Sequence, residues 1–472
     1  MSIDILPDEQ SGTTKVRGRF LSGRALVAIA TAVTLLAGVA VVLTHKKHKD
    51  LAWDPRVLPI VHFVEQTRGL RFKQPVPVEF LPDKDFENHV TSSPKEDKKD
   101  AKKLEEAVGR LRALALLRGK VDLKQAEKDL LGSSIVGLYV PKDKRVFVRG
   151  AQLTPYVRTT LAHELTHVLQ DQYFNLVKLQ DVTDATAVTA LIEGDANRIE
   201  EAYKKALSSG DKTAYDRETT RLQASVKNRT VDVPQVLTDS LSFPYVFGPV
   251  FLDSLPTNED INKAFRHPPS AEAQILDPVG HPYSTNPVSV PDPVLPTGAV
   301  KFGDTGPFGQ VFLLEVLGSR LPYDVAYRAV AGWTGDTSVG YRVGGVACNA
   351  ADVRTTSVQD LAAAARTWAA FIPGATVTVS GDTVSLRSCD PGKAARSGER
   401  TPSAFAVLSV RASLIHAFVM QGATLTVSAC TTDKVLAGYA SGGYAVLTKD
   451  KLSDAETTTL RAHIVAAVAS CR

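Results

Sequence analysis

Residues 159–174 read TTLAHELTHVLQDQYF, and no other segment limits the fold of this chain as strongly. Leu161, Leu165, Val168 and Leu169 recur at helical spacing, which predicts a helix from about Pro155 to Phe174. His163 and His167 stand four apart, so both imidazoles lie on one face of it. Two imidazoles so placed bind one Zn²⁺ at ~2.0–2.1 Å each. Glu164 follows the first histidine and is placed to take a proton from a water that zinc brings to a pKa of roughly 7. Upstream, residues 135–150 predict a hairpin: IVGLYV and RVFVRG are β-rich runs joined by PKDK. A pair of surface histidines on an amphipathic helix is the competing reading of the same motif.

A catalytic zinc site needs a third protein ligand and an open position. No histidine stands at the H-E-x-x-H-x-x-G-x-x-H spacing, which excludes a metzincin arrangement. The next predicted helix runs from about Asp184 to Leu207, with Val188, Leu191, Ile192, Ala196, Ile199 and Tyr203 as its apolar stripe. It contains LIEGDAN, and Glu193 is the candidate third ligand; a solvent-facing acidic turn is the alternative. Gly194 costs a helix interior ~1 kcal/mol relative to alanine, so it asks for a reason. Close approach of the two helices around a metal is one. A donor for the tetrahedral intermediate is also expected. Tyr245, His267 and His281 are the candidates, and the sequence does not rank them.

HELTHVLQDQ followed by ALIEGDA resembles the gluzincins, in which a glutamate from a second helix is the third zinc ligand. More narrowly, it is similar to a group of bacterial membrane-anchored metallopeptidase-like proteins carrying HELTH and EGDA. The resemblance covers roughly residues 55–285. It implies an α+β, zincin-like catalytic domain, in which a small twisted sheet lies over the active-site helix and its edge strand aligns the peptide. VFVRG is the candidate for that edge strand. His163, His167 and Glu193 are then the metal ligands and Glu164 the general base. Many gluzincins carry an acidic residue four positions after the glutamate, supporting the first histidine. Here that position is Asn197 and the aspartate is Asp195. Four residues turn a helix by about 40° and two by about 200°, so Asn197 shares the face of Glu193 and Asp195 does not. Both remain candidates for orienting a ligand.

At 472 residues the chain exceeds one ordinary domain. Its net charge of +4, without a basic stripe interleaved with aromatics, does not suggest a nucleic-acid partner, and none is expected. Residues 25–44, ALVAIATAVTLLAGVAVVLT, carry no charge and suit a transmembrane helix; a cleaved signal peptide is the alternative. With residues 1–24 as a cytoplasmic tail, the rest of the chain is expected outside the cell membrane. Cys348, Cys389, Cys430 and Cys471 form no CxxC pair and suggest two disulfides of undetermined connectivity, or else four buried thiols. The Pro-rich stretch 277–297 predicts a linker between a catalytic domain, 50–297, and a C-terminal α+β domain, 298–472. In the latter, AAFIPGATVTVS and HAFVMQGATLTVS suggest a helix-then-strand unit used twice. The expected function is zinc-dependent hydrolysis of a protein or peptide substrate. The runner-up is a cell-envelope assembly or interaction protein that keeps the fold without turnover.

Overall fold

The computed structural model describes residues 52–471, apart from 92–97, 120, 124, 127–128, 130–134, 180–184, 230–232, 395–402, 441–442 and 450. These residues divide into two compact units, one of 52–95 with 124–269, the other of 96–123 with 270–471. The division therefore falls at 269/270, earlier than the expected boundary at 297/298. The stretch 277–297 is pinned within the second unit. Gln274 Nε2 donates to the Tyr283 and Thr285 carbonyls, and the Val288 amide donates to the Thr334 carbonyl at 2.7 Å. Proline removes donors, but the N–H groups between prolines still fix the chain.

In the first unit, α1 (Leu58–Arg68) precedes β1 (Val78–Leu81) and α2 (Asp83–Thr91). The helix formed next, α3 (Lys98–Ala113), belongs to the second unit. The predicted hairpin is β2 (Gly137–Val140) and β3 (Arg145–Arg149). The sheet has the order β1-β3-β2, with β1 parallel and β2 antiparallel to β3. VFVRG is thus the central strand, and the edge strand of the hairpin is β2. The Arg149 amide donates to the Val136 carbonyl, so by the antiparallel alternation the peptide groups of Gly137 and Tyr139 face away from β3.

Every side chain from Val146 to Val148 is buried, because the sheet is covered on both faces. Val146 and Val148 pack with Val157, Leu161 and Leu165 of α4 (Pro155–Phe174). Phe147 packs the other way, with Phe86 and Val90 of α2. Burial of each such side chain contributes about 1.5–3 kcal/mol. Thr154 caps α4 by accepting the Val157 amide, Pro155 opens its first turn, and Asn175 ends it in a left-handed conformation. Three further helices complete the unit: α5 (Ala185–Ala206), α6 (Gln235–Asp253) and α7 (Asn258–Arg266), besides shorter segments and the helix Ser209–Arg229.

The second unit carries a five-stranded antiparallel sheet, ordered β4-β5-β6-β8-β7, of β4 (Val300–Gly306), β5 (Trp333–Val343), β6 (Val346–Thr355), β7 (Thr376–Ser380) and β8 (Thr383–Cys389). α3 lies on it: the Arg110 guanidinium donates to Asn349 and Ser338, and Gly109 leaves no room for a Cβ beside Ala347. The four cysteines form two disulfides. Cys348–Cys389 joins directly opposed residues of β6 and β8, and Cys430–Cys471 joins two helices. Each closes a separation of 41 residues, worth about 4 kcal/mol in the chain-entropy description.

Two expectations are corrected. The helix-then-strand repeat is formed once: α8 (Val358–Ala369) leads to β7, but α9 (Ala404–Val419) leads to the helix α10 (Leu425–Ala437). In the first copy Gly381 turns the chain at φ 59° and β7 pairs with β8; in the second Thr424 accepts the Val427 amide and caps a helix. Among the described residues, no helix is long and apolar enough to cross a membrane. Over the described residues the fold class is α+β, and none of them supplies the expected transmembrane helix. The run 25–44 lies outside the described residues.

Candidate metal centre

His163 and His167 project from α4, and Glu193 projects toward them from α5. Their ligand atoms all lie within 4.8 Å of one another, and all three residues are buried. Glu193 Oε2 is 3.1 Å from His163 Nε2 and 3.5 Å from His167 Nε2. Three atoms bonded to one tetrahedral ion at ~2.0–2.1 Å stand about 3.3 Å apart, so the spacing fits a shared metal. Polar satisfaction agrees. His167 Nε2, Glu193 Oε1 and Glu164 Oε1 are buried without a hydrogen-bond partner among the described residues, a costly arrangement unless something binds there.

Charge points the same way. Burial works against a charged His163 ring, yet the Glu193 and Glu200 carboxylates outweigh it and raise its pKa well above the ordinary value. Burial likewise opposes a charged Glu193, but the two imidazoles hold its carboxyl down to about 2. A cluster that stabilises positive charge next to an ionised carboxylate suits a cation. Two imidazoles and one carboxylate are a donor set found at catalytic zinc sites.

The outer nitrogens of both histidines are engaged. His163 Nδ1 is 3.0 Å from Glu200 Oε2, and His167 Nδ1 is 2.9 Å from Gln170 Oε1. Gln170 Nε2 in turn donates to the Ile192 carbonyl and to Asp195 Oδ2. Asp195 also accepts from Arg68 of α1 and from Arg198, and Arg68 donates to Asn262 of α7. Asp195 thus supports His167 at one remove, through Gln170. Asn197 is half-buried and joins none of the site's hydrogen bonds among the described residues. Glu200 takes the role expected of position 197. It lies seven residues from Glu193, a net rotation of about −20°, and its longer side chain reaches the ring. Loss of such a partner typically costs 10–100-fold in metal affinity. Glu200→Gln is expected to weaken metal binding by about that factor and Asn197→Ala to leave it unchanged, as read by competition with a chromophoric chelator.

Arg68 and Asp195 form a fully buried ion pair at 2.8 Å. Removing one partner of such a pair costs about 3–5 kcal/mol. Arg68→Met is expected to lower stability by that amount in urea denaturation at neutral pH. Burial pushes the Asp195 carboxyl up, but Arg68 and Arg198 prevail and hold it below the usual range. A carboxyl lowered on folding adds stability above its unfolded value of ~3.9 and loses it as pH falls through the folded value. The Arg68→Met penalty is therefore expected to shrink below about pH 4.

Glu164 is buried beside the cluster. Its Oε2 accepts the Tyr139 amide of β2 at 2.8 Å, while Oε1 has no partner among the described residues. Burial raises its carboxyl pKa, against the pull of both histidines. Gly194 serves a different approach from the one expected. A Cβ there would sit 2.7 Å from the Gly248 carbonyl, so the helix that comes close is α6, not α4. That crossing brings Tyr245 to the site, its ring stacked on His163 with centroids 6.4 Å apart. His267 is exposed at the end of α7, and His281 belongs to the second unit, beside Trp333. Compared with protein-family models, curated proteins and solved structures, the chain matches none.

Proposed function

We propose that the chain is a zinc-dependent peptide hydrolase of the gluzincin type. The observation that carries this reading is the buried His163–His167–Glu193 cluster with a carboxylate beside it, Glu164, one oxygen of which has no partner among the described residues. Zinc held by those three residues supplies a Lewis acid and lowers the pKa of water to about 7. Glu164 is the base that takes the proton from the attacking water and delivers it to the departing amine. A binding-only site has no use for that base. The Gly137 N–H and the Gly137 and Tyr139 carbonyls of β2 point away from β3 and offer an extended substrate an edge to pair with, while the Tyr139 N–H is held by Glu164. The two disulfides support an oxidising, extracytoplasmic setting. A peptide-library digest with the full-length chain tests the reading. Cleavage that stops with a zinc chelator and returns with zinc is expected. Metal-loaded chain that cuts no member of the library would favour the envelope-interaction reading instead.

A further inference from the structure

Asp171 lies on α4 seven residues after Glu164, two turns along the same face, or about 10.5 Å. It is buried, and it takes no part in the metal cluster. Its Oδ2 accepts the Tyr139 hydroxyl at 2.6 Å and the Lys144 ammonium at 2.5 Å, and its Oδ1 accepts the Leu176 amide at 3.1 Å. Tyr139 therefore meets α4 twice, through its amide on Glu164 and its hydroxyl on Asp171. Lys144 holds the hairpin turn at φ 51°, a left-handed conformation uncommon outside glycine, and its ammonium ends on the same carboxylate. Two residues before Tyr139, a Cβ on Gly137 would come 2.9 Å from Thr160 Cγ2 and 3.1 Å from Glu164 Cγ. β2 is thus seated on α4 at three heights, and the lowest of them is the Asp171 carboxylate.

We infer that Asp171 is a positioning residue for Glu164, acting through Tyr139. By fixing the height of β2 along α4, it keeps the Tyr139 amide on one oxygen of the Glu164 carboxylate and leaves the other oxygen for chemistry. Without the anchor, β2 can slide or tilt, and the carboxylate regains rotamers that a buried base does not have. The catalytic part of this inference rests on the metallopeptidase reading; the anchoring part does not. Misplacement of a reacting group by about 1 Å costs on the order of 100-fold in rate.

The test uses the full-length chain with Tyr139→Phe, which keeps the ring and the amide, and Asp171→Asn. Three quantities are read: metal content, kcat and KM on a peptide that the wild type cuts, and hydrogen exchange of the amides at 137–140. Each variant is expected to keep its metal and its KM, to lose kcat by about 10–100-fold, and to exchange those amides at least about tenfold faster at unchanged global stability. A merely structural role would not separate kcat from KM in this way. Unchanged exchange in Tyr139→Phe overturns the anchor. Faster exchange with an unchanged kcat, or loss of metal in step with kcat, overturns the action through Glu164. A wild-type chain that holds metal and cuts no peptide overturns the catalytic part together with the metallopeptidase reading. The exchange rates, which need no turnover, tell that result apart from failure of the anchor.

Discussion

Glu164→Gln is expected to retain the metal and the fold and to lose hydrolysis by about 10²–10⁴-fold, the usual worth of a positioned general base. The amide has the shape of the carboxylate, and its oxygen can still accept the Tyr139 amide that Oε2 accepts now. None of the three metal ligands is touched, so binding should not change. What is lost is basicity at the one oxygen that has no partner among the described residues. The loss should appear in kcat with KM nearly constant, because the interaction is made only as the proton moves. Activity retained within a factor of about three would place the base elsewhere.

Glu193→Ala is expected to lose both metal and activity. Two imidazoles remain, and a catalytic site needs three protein ligands to hold the ion against water and buffer. The drop in affinity should exceed the 10–100-fold expected for a supporting residue such as Glu200. The two variants therefore separate roles: Glu164→Gln keeps metal and loses chemistry, Glu193→Ala loses the first and so the second. Titration of each with zinc against a competing chelator makes the comparison. Normal affinity in Glu193→Ala would mean that the third ligand is another residue.

What the sequence made legible was local. Four-residue spacing on one helix places His163 and His167 together, and adjacency places Glu164, because helical geometry is set by near neighbours. Glu193 was reachable from a second periodic helix, and the structure brings it to the histidines. What depended on distant pairing was missed. The β-rich runs predict the hairpin of β2 and β3, but which strand is the edge depends on β1, 68 positions before β3 in the register Val78↔Val146. Gly194 is unusual inside a helix, yet its partner, Gly248, lies on a helix that periodicity cannot dock. Glu200 lies about one helical turn beyond position 197, and only the packing of α5 on α4 brings its carboxylate to His163 Nδ1. Gln170 and Asp171 sit inside the segment that carries the motif, but their partners, Asp195 and Tyr139, are fixed only by the tertiary fold. The second TVS-like run became a helix because a capping threonine and the residues after it outweighed β-rich composition.

Metal stoichiometry of the purified full-length chain, by element-resolved mass spectrometry, bears most directly on the site. The wild type is expected to carry about one zinc per chain, and the His163→Ala/His167→Ala double variant none, since a single remaining carboxylate cannot hold the ion. Full zinc retention in the double variant, or a wild type that takes up no metal when zinc is supplied, would contradict the assignment of His163, His167 and Glu193 as its ligands.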